Sequence, residues 1–135
     1  MKPIILVSAC LVGLFCRYDG RTKPSDACLE ALHGAVWIPF CPEQLGGLPT
    51  PRPPADLVGG DGDAVLAGQA QVMTRSGVDV TKVFVRGAYQ TLDLAGAQKI
   101  AAIFMKGGSP SCGCGVVLGV TAALLKSSGY ILKEF

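Results

Sequence analysis

The chain is short of several things, and each shortage narrows what it can do. Only 16% of its 135 residues are charged and the net charge is +2, so no strong field advertises nucleic acid or an acidic surface as a partner. It has a single histidine, His33. A mechanism built on an imidazole base is therefore disfavoured, and the place of His33 at the end of a predicted helix marks it as a surface or C-cap residue. No apolar run approaches the ~18 residues of a membrane span. Val7-Ser8-Ala9-Cys10 resembles a lipoprotein cleavage box. The apolar run before it, residues 3–7, falls short of the roughly 7–15 residues that a signal sequence needs. The chain reads as cytoplasmic, with no membrane partner. No Cys-x-x-Cys pair occurs, which removes the zinc ribbon and finger spacings, and there is no Gly-Lys-Ser/Thr phosphate loop.

What is present is apolar and glycine-rich. Half of the residues are hydrophobic and the mean hydropathy is +0.43, enough apolar surface to offset chain entropy and exclude a disordered chain. The length fits one domain over residues 1–135. The unusual counts are 18 glycines, 9 prolines and 6 cysteines. In a reducing compartment such cysteines read as thiols, metal ligands or nucleophiles rather than as disulfides.

Residues 3–10 (PIILVSAC) form a short, nearly continuous apolar run, the pattern of a strand buried on both faces of a parallel sheet. Residues 24–34 predict a helix capped by Ser25 or Asp26, with Cys28 on its apolar face and Gly34 at its end. A second strand follows over residues 36–41, in which Pro39 marks an edge or a bulge and Trp37 reads as core. Residues 42–62 read as a long irregular segment of the kind that is usually functional, and residues 64–74 as a short hairpin or edge strands. Asp79 caps a helix reaching about residue 97, with Val80, Phe84, Ala88, Leu92 and Ala95 at helical spacing. Residues 99–106 predict a third buried strand, 107–119 a Gly/Ser loop, 120–128 a last helix and 130–135 a final strand. The alternation predicts an α/β fold, Rossmann-like, with a mostly parallel sheet and helices on both faces.

In such sheets ligands bind outside the carboxyl ends of the strands. Three predicted strand ends bring chemistry to that edge: Cys10 with Cys16 behind it, then Cys41-Pro42-Glu43, then Ser109-Pro110-Ser111-Cys112-Gly113. Cys10, Cys16, Cys41 and Cys112 are thus candidate thiolates for an iron–sulfur cluster. A cluster held by four thiolates transfers electrons, whereas one held by three leaves an iron open as a Lewis acid. Glu43 and Ser109 flank the same edge as candidate proton carrier and orienting group. Cys28 suits a plain buried role, and Cys114 does so less well. Arg17 and Asp19 form a possible loop ion pair, and Arg52 either lines the site, binds an anionic group or is an exposed charge on a polyproline-like loop. A phosphatase-like thiol nucleophile is disfavoured because Arg17 stands one position late after Cys10. A dinucleotide loop at Gly113-x-Gly115-x-x-x-Gly119 lacks the acidic residue about 20 positions on.

Four stretches, in order, resemble the thiouracil desulfurase family. They are Val7-Ser8-Ala9-Cys10-Leu11-x-Gly13-x-x-Cys16-Arg17-Tyr18-Asp19-Gly20, the run from Cys41-Pro42-Glu43 to Pro51-Arg52-Pro53-Pro54, Ser109-Pro110-Ser111-Cys112-Gly113, and Gly119-Val120-Thr121-Ala122-Ala123-Leu124-Leu125. The resemblance implies a 4Fe–4S enzyme that removes sulfur from thiouracil-like bases without net redox change. It implies three cysteines on the cluster and one open iron that receives the substrate sulfur. Carried onto this chain it points to Cys10, Cys16 and Cys112 as ligands, with Cys41 as the rival, to Glu43 as proton carrier and to Ser109 as the group orienting water or substrate. The partner it implies is a small thiolated heterocycle. The alternative from another class is a non-catalytic cluster-binding or sulfur-carrier protein. One departure stands out: only residues 114–118 separate the third and fourth motifs, where the family carries a longer loop, and Cys114 lies outside the motif.

Overall fold

The computed structural model describes residues 2–135. Its centre is a parallel sheet of strands β1 (Ile4–Ser8), β2 (Val36–Phe40), β5 (Ile100–Met105) and β6 (Leu132–Glu134), in the spatial order β2-β1-β5-β6. Between β2 and β5 the chain forms α2 (Pro42–Leu45), β3 (Ala55–Val58), α3 (Gly62–Leu66), β4 (Gln71–Thr74) and α4 (Thr81–Gly96). Helix α1 (Asp26–Ala31) joins β1 to β2, and α5 (Val120–Ser127) joins β5 to β6.

Strand alternation divides the core. Ile5, Val7 and Phe104 pack on one face with Cys28 and Leu32 from the α1 segment. Leu6, Ile103 and Met105 pack on the other with Ala95 of α4 and with Ala122 and Leu125 of α5. Helices therefore cover both faces, as the alternation of the sequence predicts. Leu6, Ile103, Met105 and Leu125 are fully buried, each contributing about 1.5–3 kcal/mol. Ser25 caps α1, its hydroxyl accepting from the Cys28 amide at 3.1 Å, and Cys28 is wholly enclosed. His33 lies on the surface beside Glu30. Among the described residues no helix is long and apolar enough to cross a membrane.

Three local expectations are corrected. Residues 42–62 are not one irregular segment, since they carry α2, β3 and the start of α3. Of the hairpin or edge strands expected over residues 64–74, only the single strand β4 lies there. It pairs antiparallel with β3, Ala55 opposite Thr74, and α3 forms the connection between the two strands. Asp61 makes that helix possible, its carboxylate accepting from the Ala64 amide at 3.1 Å. Four residues between Pro54 and Gly59 are too few to show strand alternation clearly, which is why the sequence pattern misses β3. Trp37 is 40% exposed rather than core, because β2 is an edge strand with β1 on one side only. Pro39 is accordingly an edge proline.

Two glycines fix α2 on α4. A Cβ at Gly46 would overlap the Val83 carbonyl, and one at Gly87 would overlap the Pro42 carbonyl, so the two backbones touch directly. This contact places the helix that carries Glu43. Replacing Gly87 with alanine should improve helix preference by ~1 kcal/mol but force backbone apart at a cost of about 1–3 kcal/mol. Thermal unfolding is expected to show Gly87→Ala melting a few degrees below wild type. A higher midpoint would mean that helix preference outweighs the contact.

Candidate active site

The carboxyl ends of β1, β2 and β5 open into one cavity of about 370 Å³, lined among others by Cys10, Cys16, Cys41, Glu43, Ser109 and Cys112. All six residues singled out from the sequence for chemistry meet there. Cys28 and Cys114 do not line it. All six cysteines are free thiols.

The first arm is a looped-back segment. β1 passes into a short 3-10 helix, Ala9–Val12, so Cys10 stands two residues beyond the strand end. Its carbonyl accepts from the Gly13 amide at 3.3 Å, the Lys23 amide at 3.2 Å and the Thr22 hydroxyl at 3.0 Å. Those bonds fold residues 11–23 back and return Cys16 to Cys10. Ala9, Cys10 and Cys16 form a buried cluster with Cys41 packed against it. Asp19 pairs with Arg21 rather than with Arg17, its carboxylate also accepting from the Arg21 amide at 2.9 Å. Arg17 lines the cavity instead.

The second arm is α2. Cys41 occupies its N-cap position and Pro42 its first turn, a placement that suits proline because it has no amide hydrogen to leave unpaired. Glu43 therefore stands in the first turn with its side chain 13% exposed. The Nε of Arg52 donates to Glu43 Oε2 at 3.0 Å, and the Nη2 of the same guanidinium closes an ion pair on that oxygen. Glu43 Oε1 accepts from the Ser111 hydroxyl at 2.9 Å.

The third arm is the loop after β5. Ser109 Oγ accepts from the amides of Ser111 and Cys112 at 3.2 and 3.1 Å, closing a tight turn that buries Cys112. The carbonyls of Pro110 and Ser111 accept from the Val120 and Ala122 amides, so the first turn of α5 satisfies its own amides by pinning this loop. From the sheet edge, Glu134 accepts from the Cys114 amide at 2.9 Å. The short segment 114–118 does not line the cavity, and Val116 and Val117 on it are exposed.

The sequence reading missed Ser111. Its hydroxyl links Glu43 to Ser109 Oγ, 3.1 Å away, and lies 3.7 Å from Cys112 Sγ. The signal was available in the doubled serine of Ser109-Pro110-Ser111, but spacing alone does not say which hydroxyl faces the carboxylate. Arg52 does line the site, yet it is neither an exposed charge nor a free anion binder, since its donors are spent on protein acceptors.

The thiols differ in their surroundings. Hydrogen bonding with Cys10 and Cys41 pushes the Cys16 thiol up and lowers both neighbours, and Cys41 Sγ also lies 3.7 Å from the Cys16 carbonyl, to which it donates when protonated. The Cys10 thiol is lowered further by the charges of Lys106 and Arg17. Cys41 is brought to about 7. Burial raises Cys112 to about 12, against the neighbouring Ser8 and Ser111 hydroxyls, which favour its thiolate. Among the described residues no three His, Cys, Asp or Glu side chains are set to hold a single metal ion. Four thiols around one cavity form a soft donor set, which fits the irons of a cluster better than a hard cation.

Comparison with known proteins agrees with this geometry. Residues 5–134 match the family described as 2-thiouracil desulfurase. The chain is 42% identical over 139 aligned positions to YbbK of Bacillus subtilis (strain 168), an uncharacterised protein, covering 94% of this chain and 92% of that one. Among solved structures it is similar to a [4Fe-4S]-dependent thiouracil desulfidase, TudS, with a TM-score of 0.80 and 42% identity over 98% of this chain and 91% of that one.

The thiol environments give a test on cluster-free protein. At pH 7 a thiol with a value of about 7 is half ionised, against roughly 1% for one at the ordinary 9.0. Cys114 is also half-buried, but burial and Glu134 push its thiol up. Iodoacetamide at pH 7 is expected to label Cys41 at least about fivefold faster than Cys114, after allowing for the weaker nucleophilicity of a more acidic thiol. The ratio should shrink as pH rises and Cys114 ionises. Equal rates at pH 7, read by peptide mass spectrometry, would contradict the hydrogen-bond arrangement among Cys10, Cys16 and Cys41.

Proposed function

The chain belongs to the 2-thiouracil desulfurase family, and on that premise we propose that it is a 4Fe–4S-dependent desulfidase acting on a thiolated pyrimidine. The reaction is a hydrolytic C–S cleavage without net redox change: water supplies the oxygen of the oxo base, and the sulfur leaves as sulfide with the water protons. The observation that carries this reading is the convergence of four thiols and one clamped carboxylate on a single cavity.

Cys10 and Cys112 would hold the cluster together with Cys16, the choice that the first motif supports, or with Cys41, its thiolate-leaning rival. When bound, such a cluster with one iron free of protein ligands supplies a soft Lewis acid for the thiocarbonyl sulfur. The remaining work falls to the chain. Arg52 occupies Glu43 Oε2, so Oε1 is the oxygen that takes up a proton. Ser111 already donates its single hydroxyl hydrogen to Oε1, so the hydrogen between the two serines comes from Ser109. The Ser109 oxygen is then full, accepting two amides and giving its hydrogen to Ser111, so the route is from a cavity water to the remaining lone pair of Ser111 and from Ser111 to Glu43, leaving hydroxide to attack the ring carbon while Ser109 orients Ser111. Ser109 is held for this step by the two amides bonded to its oxygen.

Anaerobic reconstitution followed by assay against a panel of thiopyrimidines tests the proposal. The expected result is a coloured protein with about four irons per chain that releases sulfide and the oxo base. Glu43→Gln and Ser109→Ala should retain iron and lose about 10²–10⁴-fold in kcat. Iron binding should fail in Cys10→Ala and Cys112→Ala and persist in Cys28→Ala. Loss of iron in Cys41→Ala with retention in Cys16→Ala would exchange those two assignments. A colourless chain would sink the reading.

A further inference from the structure

Arg52 is the most heavily engaged side chain of the site. Its guanidinium has five N–H donors, and all of them are used. Nε and one hydrogen of Nη2 go to Glu43 Oε2, the other Nη2 hydrogen goes to the Cys16 carbonyl at 2.9 Å, and the Nη1 pair goes to the Pro49 carbonyl at 3.3 Å and the Thr50 hydroxyl at 3.0 Å. Its side chain is 3% exposed. Its backbone amide donates to the Tyr18 carbonyl at 2.7 Å. A saturated, enclosed guanidinium has no donor left for a ligand. It is instead joined to two places that chemistry must keep in register, the Glu43 carboxylate and the backbone of the Cys16 loop.

We propose that Arg52 is a positioning residue that holds Glu43 and the Cys16 loop as one rigid unit, so that the carboxylate keeps a fixed place relative to the thiols. Only a planar fork with five donors meets this set of acceptors, and a lysine has three donors on a point charge. The device serves the reading of the preceding section, since its kinetic part acts through Glu43. Its second part, bracing the Cys16 loop, does not depend on turnover. Partners that orient ligands and catalytic groups typically matter about 10–100-fold in activity or metal affinity.

The test uses anaerobically reconstituted protein and the variants Arg52→Lys, Arg52→Gln, Glu43→Gln and the double variant of the last two, each checked for folding by circular dichroism. Two readouts are taken: steady-state kinetics on thiouracil, and the rate at which a chelator strips iron. Positioning predicts that Arg52→Lys and Arg52→Gln lose about 10–100-fold in kcat with KM within about threefold, and that lysine does not restore the rate. It predicts that the double variant is no slower than Glu43→Gln alone, because Arg52 acts through that carboxylate. It also predicts iron loss several-fold faster in both Arg52 variants than in Glu43→Gln, which leaves the Cys16 carbonyl bonded. Full activity in Arg52→Lys would overturn the proposal, as would an effect confined to KM, additive losses in the double variant, or iron loss no faster than in Glu43→Gln. If Arg52→Gln does not fold, Arg52→Lys carries both readouts. A wild-type chain that loads iron but turns over no thiopyrimidine would refute the desulfidase reading and leave the iron-loss comparison to decide on Arg52. A chain that loads no iron refutes both.

Discussion

A carboxylate cannot be enclosed without compensation, and the arrangement around Glu43 follows from that constraint. Taking its charge out of water costs several kcal/mol unless opposite charge and hydrogen bonds replace the solvent. Arg52 supplies the charge and Ser111 the remaining hydrogen bond. Because those two partners come from different loops, satisfying one buried charge also gathers the loops. Arg52 reaches on to the Cys16 segment, and Ser111 sits beside Cys112 in a turn closed by Ser109. The electrostatic requirement of one side chain thus becomes the spatial order of the thiols.

The scaffold beneath is built to hold that order. Parallel strands deliver their loops to one edge, and the helices that cover the sheet are set by backbone contacts in which a side chain would not fit. Gly46 and Gly87 let α2 and α4 touch, Gly62 packs on the Gly119 backbone, and Gly119 lies against the Ser111 carbonyl. Many of the glycines that give the composition its character are therefore points of close approach. They fix α2, which carries Glu43, and the turn that carries Cys112.

The sheet was largely legible because β1, β2 and β5 are apolar runs and the long helix α4 shows a helical period, although of α1, α4 and α5 only α1 starts on a side-chain cap, and α4 begins after Val80 rather than at Asp79. The convergence of Cys10, Cys16, Cys41, Glu43, Ser109 and Cys112 was legible because a parallel sheet puts strand ends together whatever its details. What the sequence did not disclose depends on side-chain direction. Nothing in Pro51-Arg52-Pro53 says that the arginine turns inward, and nothing in Ser109-Pro110-Ser111 says which hydroxyl meets the carboxylate. Strand β3 and helix α3 escaped for a different reason. They are too short for a period to emerge, and they are stabilised by pairing with β4 and by the Asp61 cap rather than by their own pattern. Trp37 misled because hydrophobicity alone does not separate an edge strand from a central one.

Four thiols share one cavity beside a carboxylate already fixed by the protein, and the proposed function requires three of them to hold a cluster. The most direct measurement is a crystal structure of the anaerobically loaded protein with anomalous data collected at the iron edge. The account predicts iron inside the cavity bounded by Cys10, Cys16, Cys41 and Cys112. It predicts three of those sulfurs on the cluster and one iron without a protein ligand, with Glu43 still paired to Arg52. Iron bound at Cys28 or Cys114, or a cluster closed by all four thiols with no iron open to substrate, would contradict it.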